Sequence, residues 1–319
     1  MTVTNAVLTA AAARTPEATL REVIEHLAPI ERLAGSEGER EAAEWIAQRL
    51  TAAGAPARVE EERYLAGYPH LTAKLAALGT VAGLAALTRR GRLAGIVGGA
   101  AVSALIADDA SNGLRAARRV FREERNTWNV VAETGDPDAE RTLVVLAHHD
   151  AAPTGRAFDP TVQRALGERF PGIIERIDTS LPQWWGVVAA PALTAAGAAA
   201  GRRRLVAAGT ALSALATAAF ADIARSPVVP GANDNLSAVA VIVALAEALR
   251  DRPVKGIRVV LASMGAEEVL QGGIHGFAKR HLATMDRERT WVLNPDTVGS
   301  PSLVLLEGEG TVIMEDYFD

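Results

Sequence analysis

The sequence of 319 residues contains no cysteine. This absence excludes disulfide bonds and thiolate metal sites, so any metal ion would be bound by histidine and carboxylate side chains. Aromatic residues make up only 4% of the chain, and the net charge of −5 reflects no excess of basic residues. Because nucleic-acid grooves combine basic stripes with stacking aromatic rings, we expect no nucleic-acid partner. No signal peptide is predicted, since residues 1–15 lack a basic segment followed by a long apolar run.

Short apolar strands alternate with helical segments along most of the chain. The predicted strands are residues 58–64, 128–132, 142–147, 256–263 and 290–293. Ser36 and Glu39 have the spacing of a capping box at the start of a predicted helix. This alternation is typical of an α/β fold with a mostly parallel central sheet flanked by helices. In such a sheet the carboxyl ends of the parallel strands share one edge, where ligands bind.

Two stretches interrupt this pattern with uncharged helices rich in alanine, leucine and glycine. Each contains two apolar runs separated by three arginines, and we predict inserted helical hairpins at residues 70–108 and 181–224 of one domain spanning residues 1–319. Helices that are apolar on every face are buried in protein or in lipid. We expect a lipid bilayer, because small residues allow close helix packing in membranes and Trp184 and Trp185 resemble interfacial anchors. The alternative is a soluble helical subdomain or a dimerisation arm; the side of the membrane and the oligomeric state are left open.

One buried strand ends in two histidines and an aspartate. Residues 144–147 are apolar, and His148, His149 and Asp150 follow them directly. A histidine at a strand end can bind a metal ion through one ring nitrogen, while a nearby carboxylate fixes the orientation of the ring. For this stretch alone, an ordinary hydrogen-bonded histidine is the alternative. His149 would point to the other side of the extended chain, so His148 is the candidate ligand.

Further acidic residues lie at the ends of other predicted elements. Asp234 precedes a predicted helix, whereas Glu267, Glu268 and Asp296 follow predicted strands. Each alone could be a helix cap or a turn residue, but strand ends share one sheet edge, so together with His148 they can converge. One histidine and several carboxylates suit zinc, with cobalt or manganese as substitutes. Clustered carboxylates require cations, and of two adjacent glutamates one can bind a metal while the other acts as general base.

Four motifs carry a resemblance to a known enzyme family. They are Ala147-His148-His149-Asp150, Gly231-Ala232-Asn233-Asp234-Asn235, Gly265-Ala266-Glu267-Glu268 and Asn294-Pro295-Asp296-Thr297-Val298-Gly299. They resemble motifs of the co-catalytic zinc aminopeptidase family, which also includes transferrin-receptor and glutamate-carboxypeptidase type domains. The resemblance covers residues 15–64 and 126–319 outside the hairpins. It implies a zinc-exopeptidase-like fold in which water activated by two zinc ions hydrolyses a peptide, usually beside a free amino terminus.

The resemblance also implies a role for each matching residue. His148 and Asp296 would bind one zinc ion, Asp234 would bridge the two ions, Glu268 would bind the second, Glu267 would be the general base and Asp150 would orient His148. The expected protein is a membrane-associated aminopeptidase with a peptide substrate. The alternatives are a non-catalytic membrane interaction protein on a peptidase scaffold and a single-zinc aminoacyl cyclotransferase on the same fold.

The chain departs from the family pattern at its carboxyl end. The family has a further histidine ligand well downstream of the position matched by Asp296, but only 23 residues follow Asp296 here and none is histidine. We therefore expect the domain to be incomplete at this end. His275 and His281 are the candidate replacements, and either would have to fold back towards the site.

Overall fold

The structure is a computed structural model, which describes residues 16–174, 184–309 and 315–317. In chain order the elements are α1 (Pro16–Leu27), α2 (Glu37–Ala52), β1 (Ala57–Leu65), α3 (His70–Ala86), α4 (Arg92–Ala110), α5 (Ala116–Phe121), β2 (Glu124–Gly135), β3 (Thr142–His148), α6 (Thr161–Arg169), α7 (Pro171–Ile174), α8 (Trp185–Ala199), α9 (Arg203–Ile223), α10 (Leu236–Asp251), β4 (Arg258–Met264), α11 (Ile274–Arg280), β5 (Thr290–Leu293), β6 (Gly308–Glu309) and β7 (Glu315–Asp316). The chain divides into two units. We call Met1–Ala66, Glu124–Ala152 and Val228–Leu303 the sheet unit, and Gly67–Glu123, Pro153–Pro227 and Val304–Asp319 the helical unit.

The sheet unit is built on five strands in the order β1-β2-β4-β3-β5. The β4–β3 and β3–β5 pairs are parallel, whereas β1–β2 and β2–β4 are antiparallel. The α/β fold class is therefore confirmed, with a sheet that is mixed because β2 runs in the opposite direction to the other four strands. The three parallel strands end at the same edge, since His148 pairs with Met264 and Val145 pairs with Leu293.

Strand β3 is buried on both faces of the sheet. Val145 and Ala147 pack into the core covered by α1, α2 and α10, whereas Val144 and Leu146 pack on the opposite face with Phe277 of α11. Fully burying an aliphatic side chain of this size stabilises a fold by about 1.5–3 kcal/mol. Packing on two faces therefore fixes the end of β3, where the candidate ligands begin.

The serine half of the predicted capping box forms at the start of α2, whereas the Glu39 side chain accepts from the N–H of Gly35 rather than from that of Ser36. The Ser36 hydroxyl accepts a hydrogen bond from the backbone N–H of Glu39 at 3.2 Å. The helix ends before Gly54, whose φ of +95° suits a residue without a Cβ atom. Local sequence features therefore mark both ends of α2.

The helical unit contains the two apolar hairpins as helix pairs, α3 with α4 and α8 with α9. Glycines let these helices pack closely: a Cβ atom on Gly83 would lie 2.1 Å from Oγ1 of Thr210. Arg92, beside the first turn, donates hydrogen bonds to the carbonyls of Ala198 and Ala199 at the end of α8. The two arginine-bearing turns therefore lie at the same end of the bundle. Their description as insertions at 70–108 and 181–224 stays a prediction, and residues 181–183 lie outside the described residues.

Much of the outer surface of this bundle is apolar. Large hydrophobic side chains that are exposed on it are Leu78, Val81, Leu84, Leu93, Val97, Leu212 and Leu215. Helices α4 and α9 have 19 and 21 residues and a mean hydropathy of 1.5, so they are long and apolar enough to cross a bilayer, whereas α3 and α8 are shorter. Length and composition are weak evidence by themselves, because core helices of soluble proteins also meet these criteria.

Candidate metal centre

The predicted site residues converge at the carboxyl edge of the parallel strands. His148 is the last residue of β3, and its Nε2 lies 3.1 Å from Oδ1 of Asp234, immediately before α10. The same nitrogen lies 3.6 Å from Oδ2 of Asp296, which follows β5, and 3.7 Å from Oε2 of Glu267, which follows β4. Segments separated by up to 148 residues of sequence thus meet at one nitrogen atom.

A group of three side chains has the composition of a metal site. One ligand atom each from His148, Asp234 and Glu268 lie within 4.8 Å of one another. The donors are one imidazole nitrogen and carboxylate oxygens, a set that fits zinc without any thiolate. The His148 side chain is only 5% exposed and that of Asp234 is 56% exposed, so the group has a buried floor and an open side.

Asp150 contacts both the glutamate loop and the His148 ring. Its carboxylate is buried and accepts hydrogen bonds from the backbone N–H groups of Glu267 at 2.9 Å and Glu268 at 3.1 Å. Its Oδ1 also lies 3.5 Å from Nδ1 of His148, while its backbone carbonyl lies 3.3 Å from the same nitrogen. A proton on Nδ1 leaves the Nε2 lone pair directed at the carboxylates, which is the tautomer that a metal ligand requires.

The electrostatics of the group also suit a bound cation. Burial raises the pKa of Glu267 to about 7 and that of Glu268 to about 9, and the negative charge of Asp150 contributes to both shifts. Against its burial, hydrogen bonds to Asp150, Asp234 and Asp296 raise the pKa of His148 well above 6.5. Protons therefore neutralise part of the carboxylate charge when no cation does so, and a divalent ion could replace them.

Asn235 and Arg32 position loops of the site although neither was predicted to do so. The buried Asn235 amide donates to Oδ2 of Asp296 at 3.1 Å, and its peptide bond with Asp234 is cis. The buried Arg32 guanidinium donates to the carbonyls of His149 and Pro230 at 2.8 Å each, so it joins the β3 end to the loop before Asp234. The sequence signal for Arg32 is its place within residues 15–64, which the family resemblance covers.

His149, His275 and His281 lie outside the metal-competent group found among the described residues, and His275 is exposed on α11. His149 is buried beside Ser263, with Nδ1 at 2.9 Å from the serine hydroxyl, and burial lowers its pKa to about 3. It is not a member of the metal-competent group. His281 places Nε2 at 2.8 Å from Oε2 of Glu60, so this ring nitrogen is engaged in a hydrogen bond and does not replace the further family ligand.

The sheet and this histidine–carboxylate group define an α/β protein with a metal-competent centre. The model described as peptidase family M28 matches residues 214–318, which confirms the zinc aminopeptidase family resemblance. The matched third of the chain includes Asp234, Glu267, Glu268 and Asp296, whereas His148 lies before it. A comparison with curated proteins gives no match.

Several solved structures are similar to this chain over most of its length. A glutaminyl cyclase from Fimbriiglobus ruber is 13% identical, with 88% of this chain and 61% of that chain covered and a TM-score of 0.42. An aminopeptidase from Aneurinibacillus sp. strain AM-1 is 14% identical, with 90% and 71% covered and a TM-score of 0.42. A Zn-dependent exopeptidase from Parabacteroides distasonis is 11% identical, with 89% and 62% covered and a TM-score of 0.43. This chain thus spans about three fifths of the length of the first structure.

Proposed function

We propose that this protein catalyses metal-dependent peptide hydrolysis as an aminopeptidase. The convergence of His148, Asp234 and Glu268, with Glu267 beside them, carries the proposal. His148, Asp234, Glu268 and Asp296 would hold two zinc ions, or cobalt or manganese in their place. When bound, the ions supply Lewis-acid polarisation of the peptide carbonyl and lower the pKa of water.

Glu267 is the residue best placed to move a proton in this reaction. Its side chain is 37% exposed, so water and a substrate can reach its carboxyl from the open side of the group. Burial raises its pKa to about 7, which matches a base that takes a proton from water near neutral pH and returns it to the leaving amine. Asp150 holds the Glu267 backbone through a hydrogen bond, so the carboxyl projects from a fixed loop.

The Glu267→Gln variant tests this assignment. We expect the rate of aminoacyl-p-nitroanilide hydrolysis to fall about 10²–10⁴-fold, the usual contribution of a general base, with the zinc content measured by atomic emission unchanged. Glu41→Gln, on the exposed side of α2, is the matched control and should hydrolyse at the wild-type rate. Retained activity in Glu267→Gln contradicts the assignment. A wild-type protein that binds zinc but hydrolyses no aminoacyl substrate supports the non-catalytic alternative.

The compactness of the three-ligand group favours one second candidate, a single-zinc aminoacyl cyclotransferase. Among the described residues, one such group of three or more ligands is found, and it has the donors for one ion. In this reaction the α-amino nitrogen of an amino-terminal glutamine attacks its own side-chain carboxamide, and ammonia leaves. One zinc per chain, together with ammonia release from a glutaminyl peptide and no peptide hydrolysis, would favour this candidate over the two-zinc hydrolase.

We also propose that the helical unit contacts a lipid bilayer. The exposed apolar side chains on the bundle, such as Val81 and Leu215, support contact with lipid rather than water. All six arginines of the two turns are exposed at one end, where phosphate headgroups could receive them. The full chain should remain in the membrane pellet after an alkaline carbonate wash and be released by detergent. Release by carbonate alone would contradict a membrane-spanning arrangement.

A further inference from the structure

The loop that presents the two glutamates is held by side chains from three other segments of the sheet unit. Four consecutive backbone N–H groups donate to such side chains: Gly265 to Asn129 Oδ1 at 3.1 Å, Ala266 to Glu39 Oε1 at 2.7 Å, Glu267 to Asp150 Oδ1 at 2.9 Å and Glu268 to Asp150 Oδ2 at 3.1 Å. Backbone groups in loops are more often bonded to other backbone groups or to water. Here all four donate to buried side chains of other segments.

The same loop is closed on itself at its far end. The N–H of Gly273 donates to the carbonyl of Gly265 at 3.1 Å, and Asn129 Nδ2 donates to the carbonyl of Gly273 at 3.0 Å. Ala266 has a φ of +52°, a conformation that residues with a Cβ atom adopt at an energetic cost. The hydrogen bonds at both ends of the loop therefore maintain a backbone conformation that the sequence alone does not favour.

Glu39 is the most distant of these acceptors and is fully buried. Besides Ala266, its carboxylate accepts hydrogen bonds from Thr127 Oγ1 and from the backbone N–H of Gly35, at 2.7 Å each. A Cβ atom on Gly265 would lie 2.3 Å from Glu39 Oε1, so the glycine is what allows this approach. Burying a carboxyl group is costly unless hydrogen bonds satisfy it, and this one accepts from the segment before α2, from β2 and from the glutamate loop.

We propose that Glu39 is a positioning residue for Glu267 and Glu268, which it sets through the backbone of Ala266. The inference rests on the proposed function, because it assigns Glu39 a purpose only if the two glutamates bind metal and move protons. Asp150 fixes the amides of the glutamates themselves, and Glu39 fixes the residue before them. The direction in which the two carboxyl groups leave the loop consequently depends on Glu39, although its carboxylate is not part of the metal-competent group.

The test compares Glu39→Ala, Glu39→Gln and Thr127→Val with the control Glu41→Gln on the exposed side of the same helix. Hydrogen exchange of the metal-free protein reports on the backbone of residues 264–273, and competition with a chromophoric chelator gives the zinc affinity. We expect Glu39→Ala to accelerate exchange in residues 264–273 selectively and to weaken zinc binding about 10–100-fold, the usual effect of losing a partner that orients ligands. Glu39→Gln and Thr127→Val should show smaller changes of the same kind, and the control should stay within twofold.

A merely structural role predicts a different outcome. Global destabilisation would lower the melting temperature and accelerate exchange throughout the sheet, while leaving the zinc affinity of the folded protein within twofold of wild type; that result overturns the proposal. If Glu39→Ala does not fold, Glu39→Gln and Thr127→Val decide by the same two readouts. If the wild-type protein binds no zinc, the proposed metal-dependent function is contradicted. The hydrogen-exchange result is then read by itself. Selective loss of protection at residues 264–273 in Glu39→Ala supports the positioning role, and unchanged protection overturns it.

Discussion

Raising the pH should destabilise the metal-free protein, because its site holds protons that the unfolded chain would release. The folded-state pKa values of Glu267 and Glu268 are about 7 and about 9, against an ordinary value of 4.5. At these glutamates the folded protein therefore binds more protons than the unfolded chain above pH 4.5, and the free energy of unfolding falls as pH rises. Glu39, whose pKa burial raises to about 8, acts in the same direction, whereas His149, whose pKa burial lowers to about 3, opposes it below pH 6.5. The raised pKa of His148 acts in the same direction above pH 6.5.

The size of the effect follows from the pKa shifts and from exposure. Each pH unit over which one group stays protonated only in the folded state changes the free energy of unfolding by up to about 1.4 kcal/mol. Solvent screens the Glu267 side chain, which is 37% exposed, so we discount the sum heavily and expect a loss of about 2 kcal/mol between pH 5 and 8. For a chain of this size that loss corresponds to a decrease of roughly 5 °C in Tm.

Thermal unfolding by circular dichroism, with EDTA or with zinc at several pH values, measures this effect. Zinc at 100 times its Kd should stabilise the protein by about 2.7 kcal/mol. Its stabilisation should grow with pH because the ion replaces the protons. Glu268→Gln should flatten the pH dependence in EDTA, while Glu41→Gln should keep the wild-type slope. A Tm in EDTA that is constant or rises from pH 5 to 8, or a wild-type slope in Glu268→Gln, refutes the reasoning.

Three further substitutions test the packing around the site and within the helical unit. Gly265→Ala would place its Cβ atom 2.3 Å from the carboxylate of Glu39, so we expect a loss of about 1–3 kcal/mol in denaturant unfolding. Although burial opposes it, hydrogen bonds from one histidine and two arginines hold the pKa of Glu60 below 4.5. Glu60→Gln should thus cost about 1–2 kcal/mol at pH 7, and the difference from wild type should shrink as pH falls below 4.5. Arg118→Leu would leave the buried Asp109 without its partner at 2.6 Å, and we expect a loss of about 3–5 kcal/mol, measured by thermal unfolding in detergent.

The elements that could be predicted are those with strong local patterns. The strand at residues 290–293 has the predicted bounds, and β3 extends the predicted strand by one residue, because a short apolar run between polar segments has few alternatives. The antiparallel arrangement of β1 and β2 could not be predicted, since their direction depends on the path of the chain between them. That path runs through the helical unit, and strand composition contains no information about it.

The candidate ligands were predictable because they follow strands or, for Asp234, precede a helix, whereas their supporting residues were not. Glu39 has the spacing of a capping-box glutamate, and its backbone N–H does bond to Ser36. Its side chain instead reaches Ala266, which is 227 residues away in sequence. A local motif thus conceals a long-range contact. Asn129 lies within a predicted strand, and strand patterning does not predict its hydrogen bonds to Gly265 and Gly273.

The burial of the site residues indicates which side chains folding positions and which would become ordered only when a metal ion binds. His148, Asp150 and Glu39 are buried and hydrogen-bonded or ion-paired, so their positions are set by folding. The side chain of Asp234 is 56% exposed, whereas that of Asp296 is 42% exposed and accepts hydrogen bonds from Asn235 and Thr297. The ordering cost of binding, about 0.5–1.5 kcal/mol for each immobilised side chain, would therefore fall mainly on Asp234. Metal affinity should therefore depend strongly on the buried residues His148, Asp150 and Glu39, because they determine where the ion is bound.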